Sequence, residues 1–300
     1  IIGLAMAGAL YEACFAVLTK TLGAQRKQAI TIVTLVAGFA GTISFPGNHL
    51  LVGWVGWQGA ALVQAAIVAL VAAPLLWLGA STAQARGTPH RVPARLSRGD
   101  ARSILGNPIF WLLALCFAMI ALGHSLILTH LLPILDERGI PEGAAVAAAA
   151  LIGPMQVAGR FGMLQAEHRV SSLGLFIACF AAMGIATLSL LASSFWPWLV
   201  LSFVIFQGAG YGVTSILRPV FTADLLGYRN FGLIAGLLAL PFQGAAALAP
   251  TVAALVWGGG GYDLVILCAL ATVGIGLIAL LGAAATGRRG DSHNPLSRGV

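Results

Sequence analysis

"LGNPIFWLLALCFAMIALGHSLILTHLL", residues 105–132, contains no Asp, Glu, Lys or Arg. A helix rises about 1.5 Å per residue, so roughly 20 such residues cross the roughly 30 Å hydrocarbon core of a bilayer. The run is long enough to do this and too long for a buried helix of a small soluble core. It is also continuously apolar, whereas a membrane β-barrel would need segments of roughly ten residues with alternating polarity. It therefore reads as a transmembrane helix.

Comparable runs recur at about 1–18, 29–52, 58–80, 144–163, 172–192, 196–218, 231–256 and 263–285, which with 105–132 makes nine expected spans. Composition agrees: of 300 residues 59% are hydrophobic and 8% charged, and the mean hydropathy is +0.95, outside the range of soluble domains. The expected fold is an all-α membrane protein. The opening "IIGLAMAGALYEACFAVLTK" (1–20) has no basic segment ahead of it and is followed by Lys20 and further helices. It does not read as a signal peptide, and Ile1 reads as a truncation point inside a membrane helix. Cys14, Cys116, Cys179 and Cys268 lie singly in separate apolar runs, so neither a metal site nor a disulfide framework is expected.

The net charge of +7 is distributed by side. Fifteen of the sixteen basic residues fall in loops on one face, with Arg138 alone on the other. The positive-inside rule puts those loops and the C-terminus in the cytoplasm. The charge excess is thus a topology signal, with anionic lipid headgroups as secondary contacts; no nucleic-acid partner is expected. The basic, Pro-containing stretch 81–103 reads as a cytoplasmic linker. It divides the chain into a three-helix part (1–80), a six-helix part (104–285) and a cytoplasmic tail (286–300). A shift of 204 positions aligns Gly8 with Gly212, Leu22-Gly23 with Leu226-Gly227, Pro46 with Pro250, Leu51-Val52 with Leu255-Val256 and Gly56 with Gly260. The first three helices then correspond to the last three, and the front half is three helices short of a parallel repeat.

Three stretches resemble the major facilitator superfamily, in the manner of bacterial monocarboxylate and oxalate/formate carriers. "GPMQVAGRFGMLQAEHRVSS" (153–172) is similar to that family's loop between helices eight and nine, although no Asp follows Arg160 closely and Glu167 is the first acidic residue after it. "LRPVFTADLLGYRNFGLIAGL" (217–237), with Pro250 and "GGGGYD", resembles the region of helices ten and eleven. "VTLVAGFAGTISFPGNHLLVGWVGWQ" (33–58) resembles helix five. The resemblance implies that the nine spans are helices four to twelve of twelve, and that helices one, four, seven and ten line the path.

An ionised side chain at a helix centre costs roughly 2.5–3.5 kcal/mol on insertion scales, so intramembrane polar residues are functional candidates. Glu12 is the only acidic residue well inside a span. It either faces a central cavity, binding a proton, a cation or a cationic part of substrate, or lies near the interface beside a polar neighbour. In the seventh span Gln207, Tyr211, Thr214, Ser215 and Arg218 recur along one helix face. Such a stripe must meet a water-filled cavity or another polar helix surface. Arg218 suits an anion through its bidentate guanidinium, or anchors the cytoplasmic end by pairing with Asp224. Gly208, Gly210 and Gly212 beside the stripe suggest either close backbone approach or flexing, or ordinary small-residue helix packing. His124 is either a proton relay or a structurally satisfied histidine. Gln156 and Arg160 share a face: Gln156 is placed to hydrogen-bond substrate, and Arg160, with Glu167 and Asp224, is a candidate for gating between the halves. Gln64 and Gln243 read as helix-to-helix hydrogen bonds.

No phosphate-binding loop, zinc-protease or nucleophile-elbow motif occurs. No catalytic residue, metal or cofactor is expected, and ATP would not drive the cycle. The functional expectation is a monomeric secondary transporter in a bacterial inner membrane, carrying a small organic solute by alternating access. Organic anions lead the substrate classes and protons are the candidate coupling ion. Drug or metabolite efflux is the alternative within the family. A polytopic sensor or scaffold is the alternative outside it, and would need no polar stripe.

Overall fold

The computed structural model describes residues 14, 32–33, 36–86, 98–227 and 231–292. Among these every regular element is helical: α1 (Ala40–Ile67), a π-helical turn (Val68–Ala72), α2 (Ala73–Arg86), α3 (Arg98–Leu105), α4 (Pro108–Thr129), α5 (Leu131–Glu137), α6 (Glu142–Ala166), α7 (Ser172–Ala192), α8 (Leu199–Leu226) and α9 (Phe231–Ser292). Six stretches are long and apolar enough to cross a membrane, the longest being Val36–Gly79 and Phe231–Gly287. Each of those two is a pair of spans joined at glycine, because α1 leaves helical geometry at Gly56 and α9 at Gly260 and Gly261. Counting each pair as two, the described residues hold eight spans at the positions the hydropathy predicts, and the all-α membrane fold stands. The expected span at 1–18 lies outside the described residues apart from Cys14.

The two joining glycines share one backbone conformation, φ 70, ψ 172 at Gly56 and φ 71, ψ −170 at Gly261. That region is essentially restricted to glycine, because a Cβ would clash there. In both pairs a proline, Pro46 or Pro250, also lies inside the preceding helix. The matching backbone falls one residue later than the sequence register, which aligns Gly56 with Gly260.

The chain separates into two compact units, Ile1–Arg95 and Leu96–Val300. In the first, Gln64 donates its carboxamide hydrogen to Asn48 Oδ1 across the Gly56 kink, the helix-to-helix pairing expected of an intramembrane amide. Trp54, Trp57, Leu70 and Trp77 are exposed, as lipid-facing residues are.

In the second unit α4 runs antiparallel to the back limb of α9, with Leu112 against Gly282, Met119 against Gly276 and Gly123 against Thr272. Helix α8 packs against both α6 and α7, and α7 also packs against α9. Phe176 anchors the core between Phe117, at 6.4 Å, and the edge of Phe221, at 5.6 Å. Lipid tails are as apolar as these side chains, so close van der Waals fit rather than expulsion of water holds the helices together. The α8 glycines supply that fit. A Cβ on Gly208 would stand 2.7 Å from the Ile152 carbonyl oxygen, and one on Gly212 would stand 2.6 Å from Gln156 Cα. A Cβ on Gly210 would point the other way, 3.0 Å from the Cys179 carbonyl oxygen. Helix α8 is therefore pressed between α6 and α7, which accounts for the glycine run as packing.

Three boundaries differ from the sequence reading. The quoted stretch 105–132 is not one helix. Asn107 caps α4 by accepting from the Ile109 amide at 2.9 Å, with Pro108 in the first turn. At the other end Pro133 has no N–H to give the Thr129 carbonyl, so the helix breaks at His130 and restarts as α5. The linker region 81–103 contains the end of α2 and the start of α3, and α9 continues beyond residue 285 to Ser292.

Candidate functional site

Of the candidate residues, the second unit brings three into one cluster. His124 on α4 is 6% exposed and Gln207 on α8 is 2% exposed. Gln207 Nε2 lies 3.0 Å from His124 Nδ1. One turn along α8, the Tyr211 ring lies flat on the imidazole, with centroids 3.4 Å apart and 6° between planes. The i, i+4 spacing of Gln207 and Tyr211 lets one helix hold both the edge and the face of the same imidazole. The upper part of the polar stripe thus meets another polar helix surface.

The lower part turns partly inward on its own helix. Thr214 Oγ1 donates to the Tyr211 carbonyl at 2.7 Å and Ser215 Oγ to the Gly212 carbonyl at 2.8 Å. The Gly212 carbonyl also accepts from Arg160 Nε of α6 at 3.0 Å. Arg160, 3% exposed, is therefore seated at the α6–α8 seam. Gln156, half-buried one turn earlier, presses its backbone onto Gly212. Arg218 is half-buried, its guanidinium carbon 3.7 Å from the centre of the Phe242 ring and 6.0 Å from that of Phe117. A cation over aromatic faces gains from their quadrupoles, most where water is scarce. Glu167, at the C-terminal end of α6, and Asp224, near the end of α8, are both exposed. Glu12 lies outside the described residues.

Arg138 donates to Ser194 and forms an ion pair with Asp263. These contacts tie together the connections after α5, after α7 and at the α9 kink. Sequence reasoning set Arg138 apart as an isolated cation but did not nominate Asp263 as its partner. Phe117 and Phe242 were missed because an aromatic residue within an apolar run looks like any other core residue.

The sequence profile of the Major Facilitator Superfamily matches residues 1–168, more than half of the chain. The chain belongs to this superfamily. Its members are transporters rather than enzymes, so the chain is a multi-pass membrane protein of a secondary-transporter family. No curated protein matches it. The His124–Gln207–Tyr211 cluster and Arg218 lie on α4 and α8.

Proposed function

We propose that this protein is a carrier of small organic anions, monocarboxylates among them, in a bacterial inner membrane, with its basic loops and C-terminus in the cytoplasm. It works by alternating access around a site to which α8 contributes. The observation that carries the substrate class is Arg218, a guanidinium seated on the Phe242 ring within a membrane-spanning helix. A permanent cation on the polar face of a path-lining helix sets a positive potential, which favours an anion and disfavours a cation. Gln207, Tyr211, Thr214 and Ser215 supply the polar groups that orient the rest of the solute, and Gln156 borders them from α6. Glu12 is a further candidate for proton or ion binding. Arg160, Glu167 and Asp224 form the candidate cytoplasmic gate. The domain assignment at 1–80, 81–103, 104–285 and 286–300, and a monomeric state, belong to the same proposal.

Radiolabelled L-lactate should enter proteoliposomes containing the full-length carrier, and Arg218→Gln should lower uptake by about tenfold or more, the size of a lost charge-assisted hydrogen bond. Lactate flux no greater than in empty liposomes, with or without an imposed pH gradient, would overturn the monocarboxylate reading. Absence of flux for every solute tried would favour a sensor.

A further inference from the structure

Helix α8 does not fill all the space between α6 and α7. An open cleft of about 190 Å³ is walled there by Gly162 and Ala166 of α6 and by Ala178 and Ala182 of α7, with Ala209 and Gly210 of α8 also lining it. One end closes where α6 meets α8, since a Cβ on Gly159 would stand 2.6 Å from Ala209 Cα. Three residues further along α6 the space opens, and a Cβ on Gly162 would meet nothing within 4 Å. Unlike Gly159, Gly208 and Gly212, Gly162 is thus not demanded by a neighbouring helix. Gly162 and Ala178 are exposed, and such a surface on a membrane span meets hydrocarbon. Walls of a gap lose dispersion contacts until something of matching width enters. A flexible hydrocarbon chain can enter, whereas a helix about 10–12 Å across can only cover the opening.

The other end lies at the connection between α6 and α7. Ala166 ends α6, Leu175 lies in the first turn of α7, and both line the cleft. Between them run Glu167, His168, Arg169, Val170 and Ser171, all exposed. Among the described residues Arg169 forms no ion pair with Glu167. Ser171 caps α7 by accepting from the Gly174 amide at 3.2 Å, and the Ser172 and Leu173 amides have no acceptor within the helix. The positive end of a 21-residue helix therefore adds to the charge of Arg169. An apolar cleft that ends on a cation complements both parts of an anionic lipid.

We propose that the cleft between α6, α7 and α8 holds an acyl chain of an anionic phospholipid whose phosphate is bound at Arg169 and the first turn of α7. Lipid binding here does not depend on which solute is carried. The proposed orientation puts this lipid in the cytoplasmic leaflet, where basic pockets between spans take anionic headgroups.

The test uses the full-length protein in phosphatidylcholine nanodiscs containing a small amount of lipid with a photoreactive diazirine on one acyl chain. The probe carries either a phosphatidylglycerol or a phosphatidylcholine headgroup, and labelled peptides are identified by mass spectrometry. The phosphatidylglycerol probe should label the walls of the cleft about fivefold more than the phosphatidylcholine probe, the gain from one basic residue near an anionic surface. Arg169→Gln, at an exposed connection, should bring the two probes level, and raised salt should narrow the gap. Glu167→Gln should widen it. Gly162→Leu, which fills the cleft, should remove labelling there by both probes. Labelling of every lipid-facing helix alike, with no headgroup preference, would mean bulk lipid only and overturn the proposal. A preference that survives Arg169→Gln would overturn the headgroup site. An unlabelled cleft, in nanodiscs whose mass shows two copies of the chain, would mean that a second copy covers it and would overturn the lipid assignment.

Discussion

At the scale of single residues, most of the polar chemistry rests on what glycine permits. Gly212 lets α8 come close enough to α6 for its carbonyl to receive Arg160, so Gly212→Ala forces the seam apart. It should cost about 1–3 kcal/mol, the usual penalty of overpacking, read as a lower thermal midpoint in detergent. Gly162→Ala on the neighbouring helix meets nothing within 4 Å. It should leave stability unchanged or raise it, since alanine is the better helix former. Individual polar residues were legible because an amide, an imidazole or a guanidinium stands out in a hydrocarbon-facing run. Their partnerships were less so: His124 and Gln207 are 83 positions apart and meet only because α4 and α8 pack. Arg218 was read as an anion site or as an anchor pairing with Asp224, and the Phe242 ring it lies over was not foreseen. A charge pattern has no means of nominating an aromatic ring.

At the scale of elements, the bilayer's thickness fixes helix length closely, and this is why the spans could be placed from hydropathy. Where they stop and bend depends on local backbone chemistry that hydropathy does not weigh. Pro133 ends α4 early, and Gly56 and Gly261 turn one span into the next. Because Gly261 holds a conformation essentially closed to other residues, Gly261→Ala should cost about 1–3 kcal/mol, visible as lost monodisperse protein and a lower thermal midpoint. The Arg138–Asp263 pair joins connections far apart in sequence, but Asp263 remains 58% exposed. A double-mutant cycle with Arg138→Ala and Asp263→Ala should therefore give a coupling of at most about 1 kcal/mol, weakening as salt is raised. A larger coupling that is insensitive to salt would mean that the clasp is better desolvated than its exposure indicates.

At the scale of the whole molecule, two compact units with glycine-joined span pairs of the same backbone form agree with the repeat read from the 204-residue shift. Superfamily membership rests on the match across residues 1–168. The architecture was legible because repetition and span length survive in a low-complexity apolar sequence. The site was legible only as a stripe, because one helix shows its own face but not what it confronts. The central claim is that this face of α8 lines the route of the solute. In the full-length carrier with its native cysteines replaced, Ser215→Cys is treated with a membrane-impermeant thiol reagent applied to one side of the proteoliposome at a time, with and without L-lactate. Val170→Cys, at an exposed connection, serves as the accessible control. The account predicts that the thiol at position 215 reacts from each side in turn and is protected by L-lactate. A thiol that reacts from neither side, while position 170 labels readily and lactate flux continues, would contradict it.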